Sequence, residues 1–119
     1  MMQRNRTGDG MRPVLAIVAT ALACAPALAA AQVDAAAAEA LAKKSGCMKC
    51  HSVSAKKDGP SFKETAGKYK GKADAEQQLY THLTTNPKVK VDGKEELHEM
   101  LKTKNDAEIK NVIQYILSR

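Results

Sequence analysis

The sequence predicts an all-α domain of four to five short helices joined by long loops. Three observations carry this. Ile109, Val112, Ile113, Ile116 and Leu117 recur at intervals of three and four, the signature of one helix face. Residues that start helices punctuate the chain at Asp34, Ser61 with Glu64, Asp74 with Gln77, and Asn105 with Glu108. No long polar–apolar alternation marks a sheet: Val89 and Val91 alternate among lysines only briefly, so 87–96 reads as a polar loop with at most a short extended piece.

The chain has 119 residues, one domain's worth. Residues 11–31 carry Arg12, an apolar run from Val14 to Leu28, and small residues after it. That is the pattern of a secretory signal peptide, and the run is too short and too rich in alanine for a membrane span. The expected division is a signal peptide over 1–31, with Met11 a candidate start and cleavage after Ala29 or Ala31, and one domain over 32–119. Cys24 falls inside the leader. A lipid-attachment reading would want Leu three residues before it, and Leu22 stands two before.

Helix one is expected over about 36–44, with Asp34 near its start and Ser45-Gly46 ending it. Lys56-Lys57-Asp58-Gly59-Pro60 is a polar turn. The S-x-x-E pattern of Ser61 and Glu64 opens a second helix that runs to about Tyr69, where Lys70-Gly71-Lys72 breaks it. A third helix carries Leu79, Tyr80 and Leu83 and closes at Asn86-Pro87, because proline pushes the residue before it out of the helical region. The last helix starts at Asn105 and holds the apolar stripe, with Tyr115 beside it.

The formal charge is +6; removing 1–31 takes away Arg4, Arg6, Arg12 and Asp9 and leaves +4. Export argues against a nucleic-acid partner. So does the charge type, since Arg119 is the only arginine after residue 31 and bidentate phosphate recognition favours arginine. Dispersed lysine suits docking to an acidic protein. The expected domain is a monomer without stable membrane insertion. Its aromatic inventory is Phe62, Tyr69, Tyr80 and Tyr115. A chain of 88 residues with so few large side chains builds a thin core and tends to need a disulfide, a metal or a cofactor. A large enzyme, a multispan membrane protein and a disulfide-dense scaffold are excluded.

Cys47-Met48-Lys49-Cys50-His51 is C-x-x-C-H, the attachment signature of a c-type haem. One helical turn presents two thiols to the two vinyl groups of a porphyrin, and the next imidazole reaches the iron. A redox-active C-x-x-C pair would want a βαβ framework, which is not visible. A zinc site would want further ligands at finger or ribbon spacing, and His82 and His98 are isolated. A disulfide across two residues would constrain very little.

With this motif the chain resembles the class I c-type cytochromes, of the small bacterial periplasmic kind with one haem. The resemblance covers most of 35–119 and rests on SGCMKCHSV, DGPSFKETAGKYKG and NDAEIKNVIQYILSR. It implies the cytochrome c fold wrapped around one covalently attached haem c and its iron. It also implies a soluble periplasmic electron carrier rather than an enzyme. Cys47 and Cys50 would carry the thioether links, and His51 would be the proximal iron ligand. Pro60 would accept a hydrogen bond from His51 through its carbonyl, fixing the tautomer. The last helix would cross the first, with Tyr115 in a usual aromatic position.

The sixth iron ligand departs from the family's pattern, which is a methionine in a proline-containing loop. Here the stretch is DGKEELHEMLKTKND, without proline, and it offers His98 and Met100. Met100 is the only methionine outside the leader and the C-x-x-C-H motif, and Leu97, Met100 and Leu101 have the spacing of an apolar helix face. His98 follows Glu95 and Glu96 and resembles a subset of these cytochromes. His98 is the first candidate and Met100 the alternative; His82, mid-helix beside Leu79 and Leu83, reads as a surface or partly buried residue and is only a minor candidate for the iron. Leu41, Phe62, Tyr69, Leu79, Leu83, Val112 and Ile116 are the expected porphyrin wall. Lys49, Lys56, Lys57 and Lys63 are close in sequence to the expected open edge. The rival function is a haem-based sensor or small-ligand binder with a weak sixth ligand.

Overall fold

The computed structural model describes residues 32–119. The expected signal peptide and Cys24 lie outside the described residues. Asp34 caps the first helix, α1 (Ala35–Lys44): its side chain accepts from the Ala37 backbone N–H. One 3-10 turn, Cys47–Lys49, follows. Helix α2 (Phe62–Tyr69) opens on the complete capping box read from the sequence, with Ser61 Oγ accepting from Glu64 N–H and Glu64 Oε2 accepting from Ser61 N–H. Helix α3 (Ala75–Thr84) starts where expected, but Asp74 makes no cap bond to the backbone and accepts from the Gln78 side chain instead.

Helix α4 (Asp106–Leu117) is capped by Asn105 Oδ1, which accepts from Ala107 and Glu108 N–H. Its buried face is Ile109, Val112, Ile113, Tyr115 and Ile116. The other three helices all pack against α4. The crossing with α1 is stitched by polar pairs: Asp34 N–H donates to Asn111 Oδ1 at 2.9 Å, and Asn111 Nδ2 donates back to Asp34 O at 2.8 Å. Tyr115 OH donates to Glu39 at 2.8 Å, and its ring meets Phe62 edge-on at 6.1 Å.

The structure corrects the expectation of a loop over 87–96 with no sheet. Strands β1 (Lys88–Val91) and β2 (Lys94–Leu97) form an antiparallel hairpin, with Val91 opposite Lys94. Asp92 and Gly93 make the turn with φ of 49° and 80°. Two positive φ values in a two-residue loop match the twist of paired strands, and Asp-Gly is a preferred sequence for it. That dipeptide, preceded by the alternating Val89 and Val91, is the legible signal.

A second correction concerns residues 97–101. Their helical spacing does not become a helix: Leu97 ends β2, and 98–105 form an irregular segment. Leu101 is buried, whereas Leu97 and Met100 are 67% and 41% exposed, so no shared apolar face exists there. The segment is nevertheless fixed. His98 N–H donates to Pro87 O and Leu101 N–H to Leu83 O. Asn86 Nδ2 donates to His98 O, and the buried Ser45 Oγ accepts from Lys102 N–H. Among the described residues no helix is long and apolar enough to cross a membrane.

Candidate functional site

The 3-10 turn puts Cys47, Cys50 and His51 on one wall of a cavity of about 760 Å³. That volume is in the range of cofactor pockets. His51 N–H closes the turn on Cys47 O at 2.9 Å. The thiols of Cys47 and Cys50 are not joined to each other. Burial pushes the Cys47 thiol above its ordinary value, so it stays protonated at neutral pH.

The 50–62 loop presents the Pro60 carbonyl. Gly59 N–H donates to Cys50 O at 2.8 Å and Phe62 N–H to Ser52 O at 2.9 Å, which fixes the backbone on both sides of Pro60. The Pro60 oxygen lies 2.6 Å from His51 Nδ1. A carbonyl only accepts, so Nδ1 carries the proton and Nε2 keeps its lone pair. The His51 ring stacks on Phe62 at 6.0 Å. Lys57 Nζ donates to Met48 O at 2.7 Å, strapping the loop across the turn.

The irregular segment after β2 brings His98 to the same cavity. Its ring centre is 6.0 Å from that of His51, with the planes 53° apart. Two metal–imidazole bonds of about 2 Å each, plus the reach from each nitrogen to its ring centre, give a separation near this value. His98 Nδ1 is buried and has no hydrogen-bond partner. An unpartnered buried imidazole nitrogen is costly unless a bound group or water reaches that atom. Burial lowers the His98 pKa, which keeps a lone pair available.

His82, on α3, also lines the cavity, with its ring 4.2 Å from that of His98. Burial, helped by the neighbouring His98, His51 and Lys68, lowers its pKa to about 4. The sequence leaves His82 as surface or partly buried; it is partly buried, and what its neighbours Leu79 and Leu83 on the same helix do not reveal is that its ring lies against His98.

The remaining wall is Phe62, Tyr69, Leu79, Leu83, Val112 and Ile116, as expected from the sequence. Leu41 is the exception: it packs against the helix core, and Ala42 takes the place on the wall. Met100 is not part of the wall. The hairpin closes one side through Val89, Val91 and Leu97. Lys49 and Lys56, with Lys68 and Lys90, stand at the cavity, whereas Lys57 and Lys63 do not. Among the described residues no three His, Cys, Asp or Glu side chains cluster to hold a metal ion unaided. Two thiols on one wall, a proximal imidazole with a fixed tautomer and an opposed imidazole fit a porphyrin with its iron.

Comparison with known proteins agrees with this fit. The family model described as cytochrome c matches residues 35–119. Cytochrome c2 of Rubrivivax gelatinosus is 40% identical over 78 residues, which is 65% of this chain and 91% of that protein. Cytochrome c-552 of Hydrogenobacter thermophilus is 51% identical over 41 residues, 34% of this chain; the match spans only 42% of that relative's length. Among solved structures, the class 1 cytochrome MtoD from Sideroxydans lithotrophicus ES-1 superposes with a TM-score of 0.70 at 48% identity, covering 73% of this chain and 97% of that one.

Proposed function

Since this chain belongs to the cytochrome c family, whose members transfer electrons through one covalently attached haem c, we propose that it is a soluble periplasmic carrier of single electrons with two histidine axial ligands. When bound, the haem supplies an iron that alternates between ferric and ferrous states. Cys47 and Cys50 hold it through thioethers. His51 offers Nε2 from the proximal side, and Pro60 keeps the proton on Nδ1. His98 faces His51 as the distal ligand.

The observation that carries this reading is that the rings of His51 and His98 line the same cavity with their centres 6.0 Å apart, a separation that one iron between them would need. Met100, exposed and off the wall, is the weaker candidate. The apolar side chains around the cavity exclude water and hold both ligands in place during electron transfer. Periplasmic residence rests on the leader pattern of residues 11–31. Lys49, Lys56, Lys68 and Lys90 line the cavity beside Asp58, Glu64, Glu96 and Glu99, so the preference for acidic redox proteins rests on the positive balance of the whole chain.

The test is an optical and proton NMR spectrum of the haem-loaded protein in both oxidation states. The expected result is low-spin iron with neither a far-red sulfur–iron band nor a ring-current-shifted methionine methyl. Either of those signals would replace His98 by Met100. A high-spin ferrous form that takes up carbon monoxide would favour the sensor reading.

A further inference from the structure

The two imidazoles across the cavity are held in different ways. A hydrogen bond from Nδ1 to Pro60 O fixes the His51 ring. His98 has its backbone fixed, by Pro87 O and the Asn86 side chain, but its buried Nδ1 has no hydrogen-bond partner. No hydrogen bond to Nδ1 therefore sets the rotation of its ring. What the ring does touch is His82, centre to centre at 4.2 Å with the planes 53° apart. His82 is well placed to act as a stop. It sits inside α3 between the buried Leu79 and Leu83, so its backbone cannot drift without unpacking the core. The distal segment is pinned to the end of the same helix through Leu101 N–H to Leu83 O at 3.0 Å. The two imidazoles thus belong to one rigid unit.

We propose that His82 is a positioning residue that sets the plane of the His98 ring, and with it the 53° angle between the His98 and His51 rings. The proposal rests on His98 being the distal ligand. Groups that orient a metal's ligands usually do so by hydrogen bonding; here close packing takes that role. The consequence is electronic. An axial imidazole interacts with the iron through orbitals perpendicular to its ring, so the angle between two such rings sets how far the iron's paired d orbitals are split. Parallel rings split them most and crossed rings least. The ferric electron paramagnetic resonance spectrum reads that splitting directly as the spread of its g values.

The experiment compares the ferric haem-loaded protein with its His82→Ala and His82→Phe variants by low-temperature electron paramagnetic resonance, alongside optical spectra. The expected result is that all three remain low-spin, that His82→Ala shifts or broadens the largest g feature, and that His82→Phe, which restores a flat ring, returns it to the wild-type position. Should the alanine variant not accumulate with haem, His82→Leu, which fills the space without a flat face, is read in its place. An unchanged largest g value without the ring at 82, or a phenylalanine variant displaced as far as the alanine one, overturns the proposal. A wild-type spectrum showing methionine ligation would instead remove the assignment of His98, so the two failures are told apart in the unmutated protein.

Discussion

A Cβ built on Gly59 would sit 2.5 Å from Cε1 of His51 and 2.8 Å from its Nδ1. The backbone of the 50–62 loop thus approaches the proximal ring as closely as a residue without a side chain allows, and this contact delivers the Pro60 carbonyl to Nδ1. Gly59→Ala should push the ring or the loop aside. The expected cost is about 1–3 kcal/mol, as for other overpacked sites, with a shift in reduction potential. Gly67→Ala is the control: its Cβ meets nothing within 4 Å inside α2. It should stabilise by about 0.5–1 kcal/mol. Thermal melts and a redox titration of both variants check this.

His98→Ala should convert the low-spin spectrum to one with an open iron position that binds carbon monoxide in the ferrous state. Met100→Leu should leave the spectrum and the potential nearly unchanged, because Met100 is exposed and off the cavity wall. The reverse pattern would assign the ligand to Met100.

Ser61 is buried and closes the capping box of α2. Ser61→Ala removes the acceptor for Glu64 N–H, which costs about 1–2 kcal/mol. In a domain of this size that lowers Tm by roughly 5–10 °C, measured by circular dichroism at 222 nm. The haem spectrum should hardly change, since the cap supports the helix rather than the ligands.

Tyr115 is 1% exposed, and burial, followed by the hydrogen bond to Glu39, raises its pKa above 10.0. The folded chain therefore favours the neutral phenol. Its contribution to stability is fully present below about pH 10 and is lost as pH rises through the higher folded value. Tyr115→Phe should cost about 1 kcal/mol at neutral pH, because the Glu39 bond is lost. It should also flatten the alkaline limb of a plot of stability against pH. A limb as steep as the wild type's would show that another group controls it.

Association with an acidic redox partner should slow as salt is added, because residues 32–119 carry a net charge of +4 and Lys49, Lys56, Lys68 and Lys90 are among the residues at the cavity. Replacing Lys56 and Lys90 by glutamate should reduce the association rate at low salt by about tenfold. Stopped-flow measurements across ionic strengths check it. Equal rates for both proteins would mean that these lysines serve solubility alone.

Much of the architecture was legible because it is local. The capping box at Ser61, the Asn105 cap and the stripe on α4 are fixed by residues three or four apart, within one turn of chain. The C-x-x-C-H motif is local as well, and it implied the covalent haem that the family comparison shows. The hairpin was missed because its alternation is only four residues long and heavily lysine-substituted; Asp92-Gly93 was its clearest mark. The helical spacing of Leu97, Met100 and Leu101 misled because periodicity in a short window does not state whether the backbone is helical there.

The sequence by itself pointed to four to five helices, to the C-x-x-C-H attachment motif and to the two candidates for the distal ligand. Tertiary structure alone decided which of those candidates reaches the cavity, that His82 stands against it, and that Gly59 must lack a side chain. The physical reason is range. Helices and the attachment turn arise from bonds between neighbours along the chain, whereas the segment holding His98 is fixed by backbone and side-chain hydrogen bonds that tie residue 98 to residues 86 and 87, and residue 102 to residue 45. Such pairings depend on where separate segments settle around a shared core, and no spacing within one segment encodes them.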